Sequence, residues 1–143
     1  MNRETKKFSL SKIERVTSRN DFKEIFGSGI RVFSDDRRVR ALYIVSNEQI
    51  YSIKAGFAVS KKSGSAVKRN RIKRLLKESY RLNKSILYEF FQNSQKSIKI
   101  IFSPAPFYPS KDSRLNLDFY LHGVKSILHK IVTLNSGINK IDE

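Results

Sequence analysis

Residues 52–81 read SIKAGFAVSKKSGSAVKRNRIKRLLKESYR, and two periodicities meet inside this one run. From Ser52 to Ser60 the side chains alternate, with Ile53, Ala55, Phe57 and Val59 on one face and Lys54, Gly56, Ala58 and Ser60 on the other, which is the repeat of a strand. After the basic loop Lys61 to Gly64, the stretch Ala66 to Arg81 has neither Gly nor Pro and sets Ile72, Leu75, Leu76 and Tyr80 on one stripe. At about 100° per residue that stripe makes an amphipathic helix. A strand running directly into a helix predicts a mixed α+β chain.

Upstream, Arg38 to Val45 alternates as well, with Val39, Ala41, Tyr43 and Val45 facing one way and Arg40, Leu42 and Ile44 the other, so this strand has both faces partly covered. The polar Asn47 to Gln49 reads as a turn, and a hairpin pairing the two strands is expected. Ile30 to Ser34 adds a short strand, ended by Asp35-Asp36 as a turn. Ser18, followed three residues later by Asp21, suits a helix start. Phe22, Ile25 and Phe26 then recur at helical spacing up to Gly27 or Gly29, where a left-handed glycine can end the helix. Downstream, Ile98, Ile100 and Phe102 mark a strand over Ser97 to Ser103, stopped by Pro104 and Pro106. Leu117, Leu121, Val124, Ile127, Leu128 and Ile131 form the apolar stripe of a terminal helix lying on the sheet. The chain shows no internal repeat and no linker. The expected architecture is a single-domain α/β sandwich of about four strands and three helices over residues 18–134. A basic, partly ordered N-terminal segment over 1–17 precedes it, and a C-terminal tail over 135–143 follows.

Among 143 residues, 29 Lys and Arg stand against 13 Asp and Glu, a formal charge of +16, while 39% apolar residues suffice for one core. Such an excess strains the compact state by self-repulsion, and a polyanion relieves it by giving up condensed counterions. Nucleic acid is the first candidate and acidic membrane the second. The absence of Cys excludes disulfides and cysteine-based zinc sites. No apolar run reaches the roughly 18 residues that span a bilayer, and Met1 to Lys12 lacks a secretory core, so a cytoplasmic location is expected. Glu4 and Glu14 interrupt what would otherwise resemble a basic transit peptide.

The charge is concentrated between Lys61 and Arg81, where Lys61, Lys62, Lys68, Arg69, Arg71, Lys73, Arg74, Lys77 and Arg81 face Glu78 alone. Asn70, Lys73, Arg74, Lys77 and Arg81 fall within one wedge opposite the apolar stripe. A merely solvated face mixes signs, because like charges four residues apart repel; here Lys73-Lys77 and Lys77-Arg81 are both like-charged. The face therefore reads as a polyanion contact. Arg grips phosphate as a fork and Lys acts as a point charge, a combination that suits structured RNA. Asn70 has two open roles, reading a 2′-hydroxyl or base edge, or fixing the preceding loop. Phe22 and Phe26 are open between base stacking beside a positive groove and core packing, which residue statistics favour.

Across Ala58-Val59-Ser60-Lys61-Lys62-Ser63-Gly64-Ser65-Ala66-Val67-Lys68-Arg69-Asn70-Arg71-Ile72-Lys73-Arg74 the chain resembles the signature of the bacterial ribonuclease P protein, with its SKK strand end, its loop glycine and its RNR core followed by KR. Asp21 to Phe26 with Gly29 resembles the family's first helix, and the order of elements agrees from Ser18 to about Val132. The resemblance implies a ribosomal protein S5 domain 2-like sandwich in which the RNR helix follows a parallel strand through a left-handed βαβ crossover, against the usual hand. It implies contacts to the catalytic RNA through Lys61, Lys62, Arg69, Asn70, Arg71, Lys73, Arg74 and Lys77. It also implies a cleft, lined by the first helix and the sheet, that holds the single-stranded 5′ leader of precursor tRNA through Phe22, Phe26 and Tyr43. Lys77 stands where many members have Arg, and Ser65 where a larger polar residue is common.

The implied role is that of the non-catalytic protein subunit of an RNA-based endoribonuclease, with ribonuclease P RNA and precursor tRNA as partners and neither a membrane nor an obligate protein partner. No catalytic residue, metal site or bound cofactor is expected in the protein, while the RNA-containing holoenzyme requires Mg2+ and its metal ions generate the nucleophile. The residues agree with this. His122 and His129 have no companion of the kind that acid–base or metal chemistry needs, and no Gly-rich phosphate loop or close carboxylate pair is present. A ribosomal or general RNA-binding protein is the second reading and a stand-alone nuclease the third.

Overall fold

The most apolar strand takes the centre of the sheet. In the computed structural model, which describes residues 10–47, 52–94, 96–105 and 116–136, four strands run β1 (Ile30–Phe33), β2 (Val39–Asn47), β3 (Ile53–Phe57) and β4 (Lys96–Pro104). Their spatial order is β1-β2-β4-β3. The expected hairpin between β2 and β3 does not form. Instead β4 lies between them, antiparallel to β2 from Val39↔Pro104 to Asn47↔Lys96 and parallel to β3 from Ile53↔Ile98 to Phe57↔Phe102. The reason is burial on both faces: Ile98, Ile100 and Phe102 point one way and Ile101 the other, and all are at most 2% exposed. A strand apolar on both sides belongs inside a sheet, and its neighbours then pair with it rather than with each other. The turn expected over Asn47 to Gln49 lies, past Asn47, outside the described residues, as do Pro106 and the tail beyond Ser136. Asp35-Asp36 does form a turn. There the Ser34 hydroxyl donates to Asp36 Oδ1 at 2.7 Å, and the same carboxylate accepts from the Arg38 N–H at 3.0 Å.

Among the described residues four α-helices cover the sheet: α1 (Arg19–Ser28), α2 (Ala66–Asn83), α3 (Ser85–Phe91) and α4 (Leu117–Asn135). Three start on the side-chain caps their sequences advertise: Ser18 accepts from the Asp21 N–H, Ser65 from the Lys68 N–H and Asn116 from the Phe119 N–H. The helix α1 ends at Gly29 in extended geometry, with φ −71°, rather than in a left-handed cap. Glycine is needed there for close approach, since a Cβ would stand 2.5 Å from the Ile25 carbonyl oxygen. The additional helix α3 follows α2 after one residue, Lys84, and buries Leu87 and Phe91.

The helices lie on both faces. On one, α2, α3 and α4 cover Val39, Ala41, Tyr43, Ile98, Ile100 and Phe102 with Leu76, Tyr80, Ile127 and Leu128, forming the main core. On the other, α1 alone packs on β2 and β4, and a small cluster of Val16, Ile25 and Ile101 is closed by Phe22, Leu42, Ile44 and Ala58. No helix among the described residues is long and apolar enough to cross a membrane.

Candidate nucleic-acid interface

Beyond the outer edge of the sheet, the short segment ahead of α1 behaves as a partial fifth strand. Lys12–Glu14 forms a 3-10 turn. Arg15 then bridges Ala55 in parallel, and the Val16 N–H donates to the Ala55 carbonyl at 2.9 Å, so strand β3 is lined on its free side. Glu14 pins this segment to the helices behind it. Its Oε1 accepts from the Lys84 ammonium at 2.8 Å and from the Tyr88 hydroxyl, and its Oε2 accepts from the Ser11 N–H at 2.9 Å. Burial pushes the carboxyl up, yet the hydrogen bonds from Lys84, Tyr88 and Ser11 outweigh burial and hold it at about 2.

The pinned segment is one wall of an open groove of about 360 Å³. Arg15, Val16 and Thr17 form that wall with Phe22 of α1; Ala55, Gly56 and Phe57 of β3 form the floor; Lys73, Arg74 and Lys77 of α2 form the opposite wall. The ring of Phe22 lies over Gly56, its Cζ 3.3 Å from where a Cβ would stand. The floor is held from below by aromatic packing, with Phe57 6.1 Å from Tyr80 and 5.9 Å from Phe102 between ring centroids. A charged wall facing an aromatic one across a firm apolar floor can take a phosphate backbone on one side and a base on the other.

The cations of the wall carry no internal neutralisation. Among the described residues the ion pairs are Arg81–Glu78, Lys84–Glu14, Lys99–Asp21, Lys99–Glu24 and Lys130–Asp35, and none involves Lys61, Lys62, Lys73, Arg74 or Lys77. Arg81, the last member of the predicted wedge, is the exception through Glu78. The apolar stripe of α2 sits as expected, with Ile72, Leu76 and Tyr80 buried. Lys61, Lys62, Asn70 and Arg71 are exposed at the helix start. Arg69 folds its Nε–H back onto the Gly64 carbonyl at 3.1 Å, closing a loop in which Gly64 has φ 132°, a conformation that side chains resist. These five residues extend the basic surface past the groove without lining it.

The three aromatic candidates separate. Phe22 lines the groove, and Phe26, 56% exposed, stacks on it with centroids 6.3 Å apart. Tyr43 is not with them. It lies on the opposite sheet face, 2% exposed within the main core, because strand parity sets it with Val39 and Ala41 while Leu42 and Ile44 face α1. Arg15 and Thr17 are groove residues that the periodicity reading does not single out, and Phe57, which it sets on one strand face with Ile53 and Ala55, joins them. The one signal for the first two is the Ser11-x-x-Glu14 spacing, which marks a structured start before Ser18. The Nε of Arg15 is buried without a hydrogen-bond partner. His122 and His129 are both exposed on α4, away from the groove lining.

Comparison with known proteins adds an independent line. A protein-family model described as Ribonuclease P matches residues 10–112. The ribonuclease P protein component of Syntrophus aciditrophicus is 42% identical over 79 residues, which are 55% of this chain and 63% of that protein, so the match spans less than two thirds of the relative. Among solved structures, the RNase P protein from Staphylococcus aureus superposes with TM-score 0.60 at 30% identity, over 87% of this chain and 92% of that one. The RNase P protein from Thermotoga maritima shares the fold, with TM-score 0.58 at 24% identity over 85% and 96% of the two chains.

Proposed function

Because this chain belongs to the ribonuclease P protein family, we propose that it is the non-catalytic protein subunit of a ribonuclease P holoenzyme. Its partners are the ribonuclease P RNA and precursor tRNA, and its place of work is the cytoplasm. The basic surface of α2 and the loop before it, from Lys61 and Lys62 through Arg69, Asn70 and Arg71 to Lys73, Arg74 and Lys77, lies against the catalytic RNA. The groove takes the single-stranded 5′ leader, with Phe22 and Phe26 offering aromatic faces. Removal of the leader is chemistry of the RNA and the Mg2+ it holds; the residues of this chain position the strand and offset repulsion between two polyanions. That role lowers the magnesium requirement. The observation that carries the reading is the groove itself, in which Phe22 faces Lys73, Arg74 and Lys77, cations that no described acid neutralises.

Reconstitution tests it. Added to a ribonuclease P RNA, the chain is expected to promote leader removal at low magnesium; no promotion ends the assignment. The variant Phe22→Ala is expected to weaken precursor binding about tenfold while leaving mature tRNA unaffected, since stacking one base is worth about 1–3 kcal/mol. A folded variant with equal loss for both substrates returns Phe22 to a packing role.

A further inference from the structure

The two walls of the groove are tied to each other by a buried polar contact behind them. Glu14 stands one residue ahead of the wall Arg15–Thr17, and Lys84 is the C-cap of α2, about two helical turns beyond Lys77 of the opposite wall. Lys84 also precedes α3 in helical geometry, with φ −63° and ψ −21°, so it occupies the joint between the two helices. Its ammonium donates to Glu14 Oε1 at 2.8 Å across 70 positions of sequence. Tyr88, one turn into α3, donates its hydroxyl to the same oxygen, and its ring centroid lies 5.4 Å from the Lys84 ammonium.

Both carboxylate oxygens of Glu14 are committed, because Oε2 accepts from the Ser11 N–H at 2.9 Å and from the Ser11 hydroxyl at 3.0 Å. The side chains of Lys84 and Glu14 are only 10% and 17% exposed, so water competes little for the pair. A buried ion pair adds little stability over apolar contact, but its hydrogen bonds have direction and fix one geometry. The backbone of the wall meets the sheet at Ala55, and contact at one residue does not by itself set the distance from that wall to α2. The direction of Glu14 also matters for charge. It adjoins Arg15 in sequence, yet no ion pair among the described residues includes Arg15. With its carboxylate turned to Lys84, Glu14 leaves Arg15 positive where it lines the groove.

We propose that Glu14, Lys84 and Tyr88 are positioning residues that set the width of the groove, holding Arg15–Thr17 where one strand of nucleic acid meets that wall and Lys73, Arg74 and Lys77 together. The inference rests on the reading of the groove as a single-strand site and adds the device that holds its shape. None of the three lines the groove; they act through the backbone behind its two walls. The consequence runs against simple electrostatics. Removing the Glu14 carboxylate makes the chain more positive and by charge alone strengthens its hold on a polyanion, whereas loss of the clamp weakens it.

The test uses the holoenzyme reconstituted with a ribonuclease P RNA, precursor tRNA as substrate and mature tRNA as competitor, at a temperature where circular dichroism shows each variant folded. Glu14→Ala is expected to raise KM for the precursor about tenfold, the scale of a small misplacement at a binding site, while kcat at saturating precursor and the affinity for mature tRNA keep their wild-type values. Lys84→Met is expected to do the same. The double variant is expected to be no worse than the weaker single one, because partners in one contact are not additive. Tyr88→Phe changes no charge and removes one hydrogen bond, so KM is expected to rise about threefold; it decides the matter if the other variants do not fold, and an unchanged KM there overturns the proposal. An unchanged or lower KM in folded Glu14→Ala, losses that multiply in the double variant, or an equal loss for mature tRNA overturns it as well. Wild-type protein that gives the precursor no advantage over mature tRNA overturns the groove reading itself, whereas a leader advantage that Glu14→Ala leaves intact overturns the clamp alone.

Discussion

The two faces of this sheet start from the same alternation of side chains and reach opposite outcomes. Under α2, α3 and α4, the residues from Tyr43 and Ile98 to Ile127 and Leu128 are sealed from water. Under α1 the buried apolar cluster is no more than Val16, Ile25 and Ile101 among the described residues, and around it stand Arg15, Arg31, Arg40 and Lys99. One face supplies the fold and the other supplies the surface. A groove open to a nucleic-acid strand requires that a second layer not be completed there, and the thick core opposite makes that incomplete layer tolerable.

If the two faces divide labour in this way, damage to the packed face lowers stability without changing the charge that we propose meets RNA. Leu128 is fully buried between α4 and the sheet, so Leu128→Ala is expected to cost about 3 kcal/mol, the usual range for a buried Leu that leaves a cavity. Urea unfolding measures the loss. The salt slope of RNA binding, taken where the variant is still folded, is expected to match the wild type. A shallower slope would show that the faces are coupled and would break the contrast.

Glu14 is where the faces meet, because it ties the wall of the groove to Lys84 and Tyr88 behind it. Glu14→Gln is expected to cost about 2 kcal/mol, since Lys84, itself only 8% exposed, loses its carboxylate partner. The pH dependence sharpens this. The carboxyl is held at about 2 in the folded chain against an ordinary 4.5, so its contribution is present above 4.5 and is lost as pH falls from there through 2. The gap between wild type and variant should therefore narrow over that window. A gap constant with pH would mean that the ionised form of Glu14 is not what holds the wall.

Much of the packed face is legible in the sequence, because it follows from periodicity. The alternation over residues 39–45 already sets Tyr43 with Val39 and Ala41, the core side, and so contradicts the cleft position that family resemblance assigns it. Strand order is not legible in the same way. Period-two patterns identify β2 and β3, but the insertion of β4 between them depends on which strand is apolar on both faces, a comparison across the whole chain. The helix α3 is one short apolar run, SILYEFF, in which helix and strand patterns cannot be told apart. On the open face, the cations of α2 are readable because unbalanced charge needs no topology, whereas the wall from Arg15 to Thr17 depends on long-range contacts, the bridge to Ala55 and the bonds of Glu14 to Lys84 and Tyr88.

The smallest effect expected concerns Lys99, a cation on the sheet face under α1 that acids of α1 neutralise. Asp21 and Glu24 both reach it, and the hydrogen bond it donates to Asp21 is the main reason its ammonium is held above the ordinary 10.5. Its side chain is 25% exposed, so the pair is screened, and Lys99→Gln should cost only about 0.5 kcal/mol. The direction with pH is opposite to that of Glu14. A raised folded value means that the contribution is complete below 10.5 and fades as pH climbs through and beyond it. Added salt should shrink the difference from wild type, because the charges are partly in water. The variant also leaves Asp21 and Glu24 without Lys99 on the sheet face that carries Arg31 and Arg40, so its affinity for RNA should fall further than loss of one positive charge explains. Affinity lost only to the extent of one charge would mean that α1 keeps its acids out of reach of the arginines, and that the two halves of this face act independently.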